Sequence, residues 1–563
     1  QGEAHGQAGH ERHVHHRLLA DEDELGVFEI GRQLRDRLTG VLAALVLAAS
    51  AQFIFIGKQS MVDMPLVACL TVGLALFCRA VFQTDRLDRT ARAPLRTRGV
   101  AAAGVLVATF PQYYLILREL ESGLGQLAIG AAFLLAAASA GALLGWGTRR
   151  ACDLAGFYAL AGYAALAKGP AALYVLGPLV LIYILFTFDL RILWRCWLIP
   201  GGLLFLLVAV PWFLTLSFFD GRDDEGKTFV ARFWIHDTFN RLGRGVHGDR
   251  PTIGYYLEQL AYGMWPWSAL APFAIGFAAR IKRAEVGDAR RRLLTFVLIW
   301  AVWGYVGFSI SKTGFHHYVF PAVPALAILI AYWLRWVADA PERRLASLIA
   351  LPILALFIVA MRDLVVDPQH LSSLFTYKYD RKYPRLLRRD AIATLGTFLG
   401  VGVALVGGPE VLKRVAQRFF PSAPVGPWLE RNGRATSMLG FATIGVLFAA
   451  WISHHHFNYL SQHWSQAHMF ETYFREKKGD EPIYAYQLNW RGETFYSRNT
   501  VIQVKEAGAN QRMREVVDHP GREFIVVEQK RFPTLKNVLS PDKRERITIL
   551  DKSSTKFYLL VVD

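Results

Sequence analysis

Lys168 is the first residue in this chain that could do chemistry. With Gly169 and Pro170 it interrupts the long, mostly apolar stretch 154–189. A lysine at mid-bilayer costs roughly 2.5–3.5 kcal/mol on insertion scales. The stretch is therefore expected to form two spans with Lys168 at the turn between them. Glycine opens such a turn, and proline suits the first position of the next helix. There the ammonium either snorkels to the surface or is held for an anionic substrate. Asp63 opens another span, in Met61-Val62-Asp63-Met64-Pro65, with Lys58 shortly before it. A carboxylate at a helix start is favoured by the dipole without any function. Among the acids on its face it is also the best placed to act in catalysis, by orienting an acceptor. A third group lies in the polar turn from Ser311 to Tyr318. There Lys312 can neutralise a phosphate and Tyr318 can donate its hydroxyl to one. His316 and His317 are neighbours, and adjacent histidines rarely chelate one ion, so no metal site is expected there.

These groups must be positioned by membrane spans. Hydrophobic residues make up 53% of the 563, charged residues 19%, and the mean hydropathy is +0.25, so the long apolar runs imply a polytopic α-helical membrane protein. The net charge of +17 then reflects arginine clusters in short loops, not nucleic-acid binding. Apolar runs at 39–56, 62–81, 97–118, 122–146, 152–167, 170–188, 197–218, 254–280, 293–311, 316–336, 344–362, 391–407 and 437–453 give about 13 spans. Cys69, Cys78, Cys152 and Cys196 lie within or beside these runs with no metal or redox spacing, and read as small apolar fillers.

Orientation follows from the basic loops. Arg86, Arg89, Arg92, Arg96 and Arg98, then Arg149 and Arg150, then Lys282 to Arg292, then Lys413 to Arg418 all fall on one side by simple alternation. The positive-inside rule makes that side cytoplasmic. The basic loop 363–390 dissents; Tyr377, Tyr379 and Tyr383 suggest that it lies on the outer interface. Three regions result: a polar N-terminal segment (1–38), cytoplasmic or a remnant; a transmembrane domain (39–453); and an outer, periplasmic α/β domain (454–563). In the last, 483–487, 495–498, 524–528, 547–551 and 557–563 read as strands and 504–517 as a helix. The scattered N-terminal histidines (His5, His10, His13, His15, His16) keep no ligand spacing.

Alternation gathers the unusual polar residues on the outer face. Lys58, Asp63, Lys168, Lys312 and Tyr318 fall there, as does the loop 219–253. That loop carries Asp223, Asp224 and Glu225, then Arg232, His236, Asp237, Asn240, Arg241 and Arg244, interleaved with Phe233, Trp234 and Phe239. The interleaving suits a helix lying in the membrane interface. Tyr255, Tyr256, Trp265 and Trp267 are expected to ring the membrane boundary. Several cations, one carboxylate and an aromatic rim fit a polyprenyl phosphate. Its tail would lie among the helices while its phosphate meets Lys168, Arg241 and Tyr318, with Lys58, His236 and Lys312 nearby.

Residues 57–65, Ala167-Lys168-Gly169-Pro170, Pro211-Trp212, Tyr255-Tyr256 with 263–267, and 318–324 resemble a bacterial GT-C glycosyltransferase. The family is that of aminoarabinose transferase and the protein O-mannosyltransferases, and the likeness runs from about residue 25 to 340 in the family's order. It implies a polyprenyl-phosphate-sugar donor, inversion at the anomeric carbon, and polyprenyl phosphate as leaving group. It also implies that Asp63 matches a second outer acidic residue, and that Lys168 and Tyr318 contact the lipid phosphate. The family's main carboxylate lies in an earlier outer loop, which is not found here, and the spans at 97–146 separate Asp63 from Lys168 further than the family pattern leads one to expect. A missing N-terminal part is the expectation.

The leading expectation is therefore a membrane glycosyltransferase moving a sugar to a lipid, protein or glycan acceptor at the outer face of a bacterial inner membrane. Inactivity of the chain as it stands is part of that expectation. A transporter or flippase would place charges near the midplane and show internal repeats; an inactive binding relative would keep the phosphate cations. No nucleotide loop is found, and a divalent metal is left open.

Overall fold

The computed structural model describes residues 25–563 apart from 60, 83–87, 121–122, 224–225, 241–251, 282–286, 313, 340–344, 368–369, 372–384, 489–490, 505–507 and 518–520. Among the described residues, eight helices are long and apolar enough to cross a membrane. A ninth arises if Arg37–Ala48 and Ala51–Lys58, bent by 62°, form one span. The expected run 170–188 is a shorter apolar helix, Ala171–Thr187. The run 254–280 is broken into Ile253–Gly263, a short turn at Trp267–Leu270, and Ala271–Arg280. Pro266 and Pro272 lack the N–H that a continuous helix needs there.

The chain forms two compact units: most of the chain up to Arg362 with Thr397–Ala449, and a second that includes Ala450–Asp563. In the first, the span His316–Ala338 is 94% buried and is the central helix, whereas Gly123–Trp146 is only 11% buried and faces lipid. The polar segment expected at 1–38 is not uniform. Residues 25–34 form a helix whose apolar positions Val27, Ile30 and Leu34 recur at helical spacing and enter the core.

What positions the site is an antiparallel pair, Asp63–Phe82 against Arg149–Lys168. Small residues let the backbones approach. A Cβ on Gly73 would meet Phe157 at 3.4 Å, and one on Gly156 would meet Leu76 at 2.7 Å. Further along the same register, Asp153 is gripped by Arg79 and Arg89, the latter at 3.2 Å. Arg89, expected as a solvated loop charge, is 4% exposed because this partner draws it inward. The register carried the other way brings Asp63 to Lys168.

The second unit holds a five-stranded sheet. With β1 Ile483–Tyr486, β2 Ile502–Val504, β3 Glu523–Glu528, β4 Ile547–Asp551 and β5 Phe557–Val562, its order is β2-β1-β3-β5-β4. β1 is parallel to both neighbours, while β3 and β4 are antiparallel to β5. Alternate side chains enter separate cores: Tyr484, Ile525 and Leu560 on one face, Ile483, Phe524 and Val561 on the other. An α/β module results, with one correction. The strand expected at 495–498 is instead the end of helix Arg491–Tyr496 and its following turn. Ser497 Oγ closes that turn by accepting from Val501 N. Val504 is used by β2, so the expected helix begins only at Ala509.

Glu523, at the start of β3, is 6% exposed, and burial pushes its carboxyl up to about 7 although Lys543 acts the other way. A carboxyl whose folded pKa is raised makes the fold less stable as pH rises from about 4.5 to about 7, and the loss persists above that. Glu523→Gln should abolish this slope. Above pH 7 it should raise the unit's unfolding midpoint by about 2–4 °C, the shift that ~1 kcal/mol gives a domain of this size. Temperature-dependent proteolysis of the full chain at several pH values measures both effects.

Candidate functional site

Asp63 is the first residue of its helix and is 2% exposed. Lys168 is the last of the partner helix, and its Nζ lies 2.5 Å from Asp63 Oδ1. The helix stops there because Gly169 adopts φ +60°, with its N–H returning to Ala165 O at 2.6 Å. The turn is covered from outside: a Cβ on Gly169 would lie 2.6 Å from Phe233 Cζ. Phe233 belongs to the helix Val230–Asn240 and stacks between Phe213 and Phe229. A helix is present where the alternating aromatics led one to expect it, wound as a π-helix.

The third side of the site is the 3₁₀ turn His316–Ala322. Gln52 ties it down by donating to His316 O at 2.9 Å. His317 Nε2 lies 3.6 Å from Asp63 Oδ2, so the carboxylate sits between an ammonium and an imidazole. Lys168 Nζ rests 4.6 Å from the centroid of the Tyr318 ring. Phe315 stacks parallel to His317, and Tyr318 stands edge-on to both. The Lys168 side chain keeps 21% of its surface exposed, against 3% for Asp63. One end of the pair is sealed and the other is open to an anion.

Three residues singled out by sequence therefore meet: Asp63, Lys168 and Tyr318. His317 joins them and was missed. Its only sequence signal was its place beside Tyr318 in the same tight turn. Lys58 ends the helix before Asp63 and is exposed, as is Lys312. His236 Nδ1 lies 3.2 Å from Asp237, which also attracts Arg232 at 3.6 Å. Arg241, Arg244, Asp224 and Glu225, the N-terminal histidines, and Tyr377, Tyr379 and Tyr383 lie outside the described residues. Among the described residues, no group of three or more His, Cys, Asp or Glu side chains is arranged to hold a metal.

The expected aromatic girdle is corrected. Tyr256, Trp265 and Trp267 are 0%, 3% and 1% exposed. Trp265 packs on Phe448 at 4.5 Å and Trp267 on Phe441 at 4.8 Å. The broken helix turns these rings inward, where they bury more apolar surface than at a boundary.

A helical membrane unit carrying a small α/β module, with a lysine–aspartate pair at one end of its helices, shares the fold of the GT-C membrane glycosyltransferases. In particular it matches crystal structures of ArnT from Cupriavidus metallidurans. The undecaprenyl phosphate complex gives a TM-score of 0.63 at 16% identity, covering 98% of this chain and 83% of that one. The apo form gives 0.60 at 17%. Relatives are undecaprenyl phosphate-alpha-4-amino-4-deoxy-L-arabinose arabinosyl transferases. That of Shewanella sediminis is 28% identical over 183 residues, 31% of this chain and 30% of its own. That of Sodalis glossinidius is 32% identical over 139 residues, covering 25% and 23%. That of Yersinia enterocolitica is 25% identical over 201 residues, covering 35% and 33%. The matched stretches thus span about a third or less of these relatives. No family model matches the chain. The family resemblance read from the motifs agrees with both the relatives and the solved structures.

Gly169→Ala tests how tightly the turn is built. The backbone there has φ +60° and ψ −139°, close to a region kept almost entirely by glycine. The variant should lose about 1–3 kcal/mol of stability, read as a lower unfolding temperature in detergent, and Phe233→Ala, which removes the clash but not the backbone strain, should restore it only in part.

Proposed function

We propose that this protein is a glycosyltransferase that moves a sugar from a polyprenyl-phosphate donor to a hydroxyl or phosphate oxygen of a lipid, protein or glycan. The observation that carries this reading is the partly open Lys168 ammonium, held between Asp63 and the Tyr318 ring, in a fold shared with an undecaprenyl phosphate complex. The relatives' donor, undecaprenyl phosphate-linked 4-amino-4-deoxyarabinose, is the first donor to try, with lipid A as the first acceptor.

The donor phosphate meets the open side of Lys168. In transfer, the acceptor oxygen bonds to the anomeric carbon while the bond to the phosphate oxygen breaks, and the proton of a hydroxyl acceptor leaves with the departing polyprenyl phosphate or to solvent. Negative charge gathers on the departing phosphate, where a fixed ammonium stabilises it most. Tyr318 holds that ammonium from below and can donate its hydroxyl to the same phosphate. Asp63 is paired on both oxygens, so its role is to fix Lys168 and His317, not to accept the acceptor's proton. Lys58 and Lys312 are exposed cations that guide the anionic donor, and His236, Arg232 and Arg241 belong to the covering helix and the segment after it. The protein resides in the bacterial inner membrane, with its C-terminal domain (454–563) periplasmic.

With the full chain, purified donor and lipid A, Lys168→Ala should lower transfer by about 10²–10³-fold, the loss typical of removing one transition-state contact. Lys168→Arg is not expected to rescue fully, because a planar guanidinium cannot replace a compact ammonium. Unchanged transfer in the alanine variant would reduce Lys168 to a snorkelling turn residue. Absence of transfer by the unaltered chain, with donor still bound, would instead identify a binding relative. Orientation has its own test: an impermeant thiol reagent outside the cell should label Lys552→Cys and spare Thr90→Cys.

A further inference from the structure

At the opposite end of the same unit, helices Ala171–Thr187 and Asp288–Ser309 flank a groove of about 1210 Å³. Since the first of these helices starts directly after the Lys168 turn, the groove's far end lies ~25 Å from the site. Its walls change character along that length. Ile182, Leu298, Ile299 and Val302 make an apolar channel, and Trp303 and Val306 line its upper part. Its lower mouth is lined by Arg191, Arg195, Arg291 and Arg292, with Asp189 and Asp288. Four cations against two carboxylates leave a positive mouth.

Two of the four are engaged. Arg195 Nη1 pairs with Asp189 at 3.1 Å, and Arg291 Nη1 donates to Ala278 O at 2.9 Å. Arg292 differs: its Nε is buried without a hydrogen-bond partner. Such a donor carries a desolvation cost that a bound acceptor would offset. Trp194 and Trp197, close in sequence to Arg191 and Arg195 at the mouth, are exposed, as rings that lie among lipid headgroups would be.

We propose that this groove binds an anionic glycerophospholipid of the leaflet opposite the Lys168 site, with its phosphate at Arg191 and Arg292 and one acyl chain along Leu298 and Val302. The donor's own tail is a poorer occupant. With its phosphate at Lys168 it would bring hydrocarbon to the arginine mouth, and arginines do not recognise hydrocarbon. The proposal does not rest on the transferase reading and survives its failure.

The test is native mass spectrometry of the full chain in detergent, titrated with phosphatidylglycerol or phosphatidylcholine. Phosphatidylglycerol should be retained about tenfold better. Arg191→Gln with Arg292→Gln should remove that preference. Val302→Trp, which fills the channel and leaves every charge in place, should lower retention of the lipid even if the arginine variant fails to insert. Equal retention of the two lipids, or retention unaffected by Val302→Trp, would overturn the site. Loss of retention with Val302→Trp alone, the preference unchanged in a folded arginine variant, would overturn the headgroup assignment.

Discussion

The structure depends on one constraint: two antiparallel helices carry charges at both ends, and each charge must find its partner in the same register. At one end Asp63 meets Lys168; at the other Arg79 and Arg89 meet Asp153. The two clusters are sixteen residues apart on the first helix, ~24 Å along its axis. Between them the contact is made by Gly73, Gly156 and their apolar neighbours, which let the backbones approach but fix no register by themselves. A slip of one residue would turn a helix by ~100° and separate both charge clusters at once. The geometry of the site is therefore set partly by residues at the far end.

The two clusters are not equivalent. A buried ion pair is seldom the most stable way to fill its space, because desolvation offsets much of the attraction. Around Asp153 the arginines include Arg89, itself nearly sealed, and the cluster reads as register control. Lys168 is only partly covered: its Nζ rests against the Tyr318 ring, and about a fifth of its side chain stays exposed. A cation held open by a buried carboxylate is prepared to receive an anion without moving. Such a setting would suit the phosphate that we propose it binds, and it gives a polar pair a use that leucines in its place would lack.

Alternation of spans and the cost of a mid-bilayer lysine were enough to bring Lys168, Asp63 and Tyr318 to one end. The Gly169-Pro170 punctuation marked the turn correctly, because backbone chemistry is local. What could not be read depends on the third dimension. Arg89 looks like any loop arginine until Asp153, on another helix, draws it inward. Tyr256, Trp265 and Trp267 have the composition of a boundary belt, and only the break near Pro266 turns them into the core. His317 carried a metal-site question when its partner is a carboxylate far away in sequence. The segment 495–498 was too short and too mixed to separate a strand from a helix end.

The groove's helices are not those of the charged site, but Ala171–Thr187 starts directly after the Lys168 turn, so the two regions must be kept apart. Tyr174 and Trp303 make that separation. Trp303 Nε1 donates to Tyr174 O at 2.9 Å, and Tyr174 donates through its hydroxyl to Gly307 O at 2.5 Å. The Tyr174 ring packs edge-on to Phe308, which touches Tyr318 at the site. Both polar edges are thus satisfied within the helix pair. Cross-linked in this way, the helices Ala171–Thr187 and Asp288–Ser309 cannot part at their upper ends without losing two partly buried hydrogen bonds. The upper end of the groove is thus connected through Phe308 to Tyr318 beside the Lys168 ammonium.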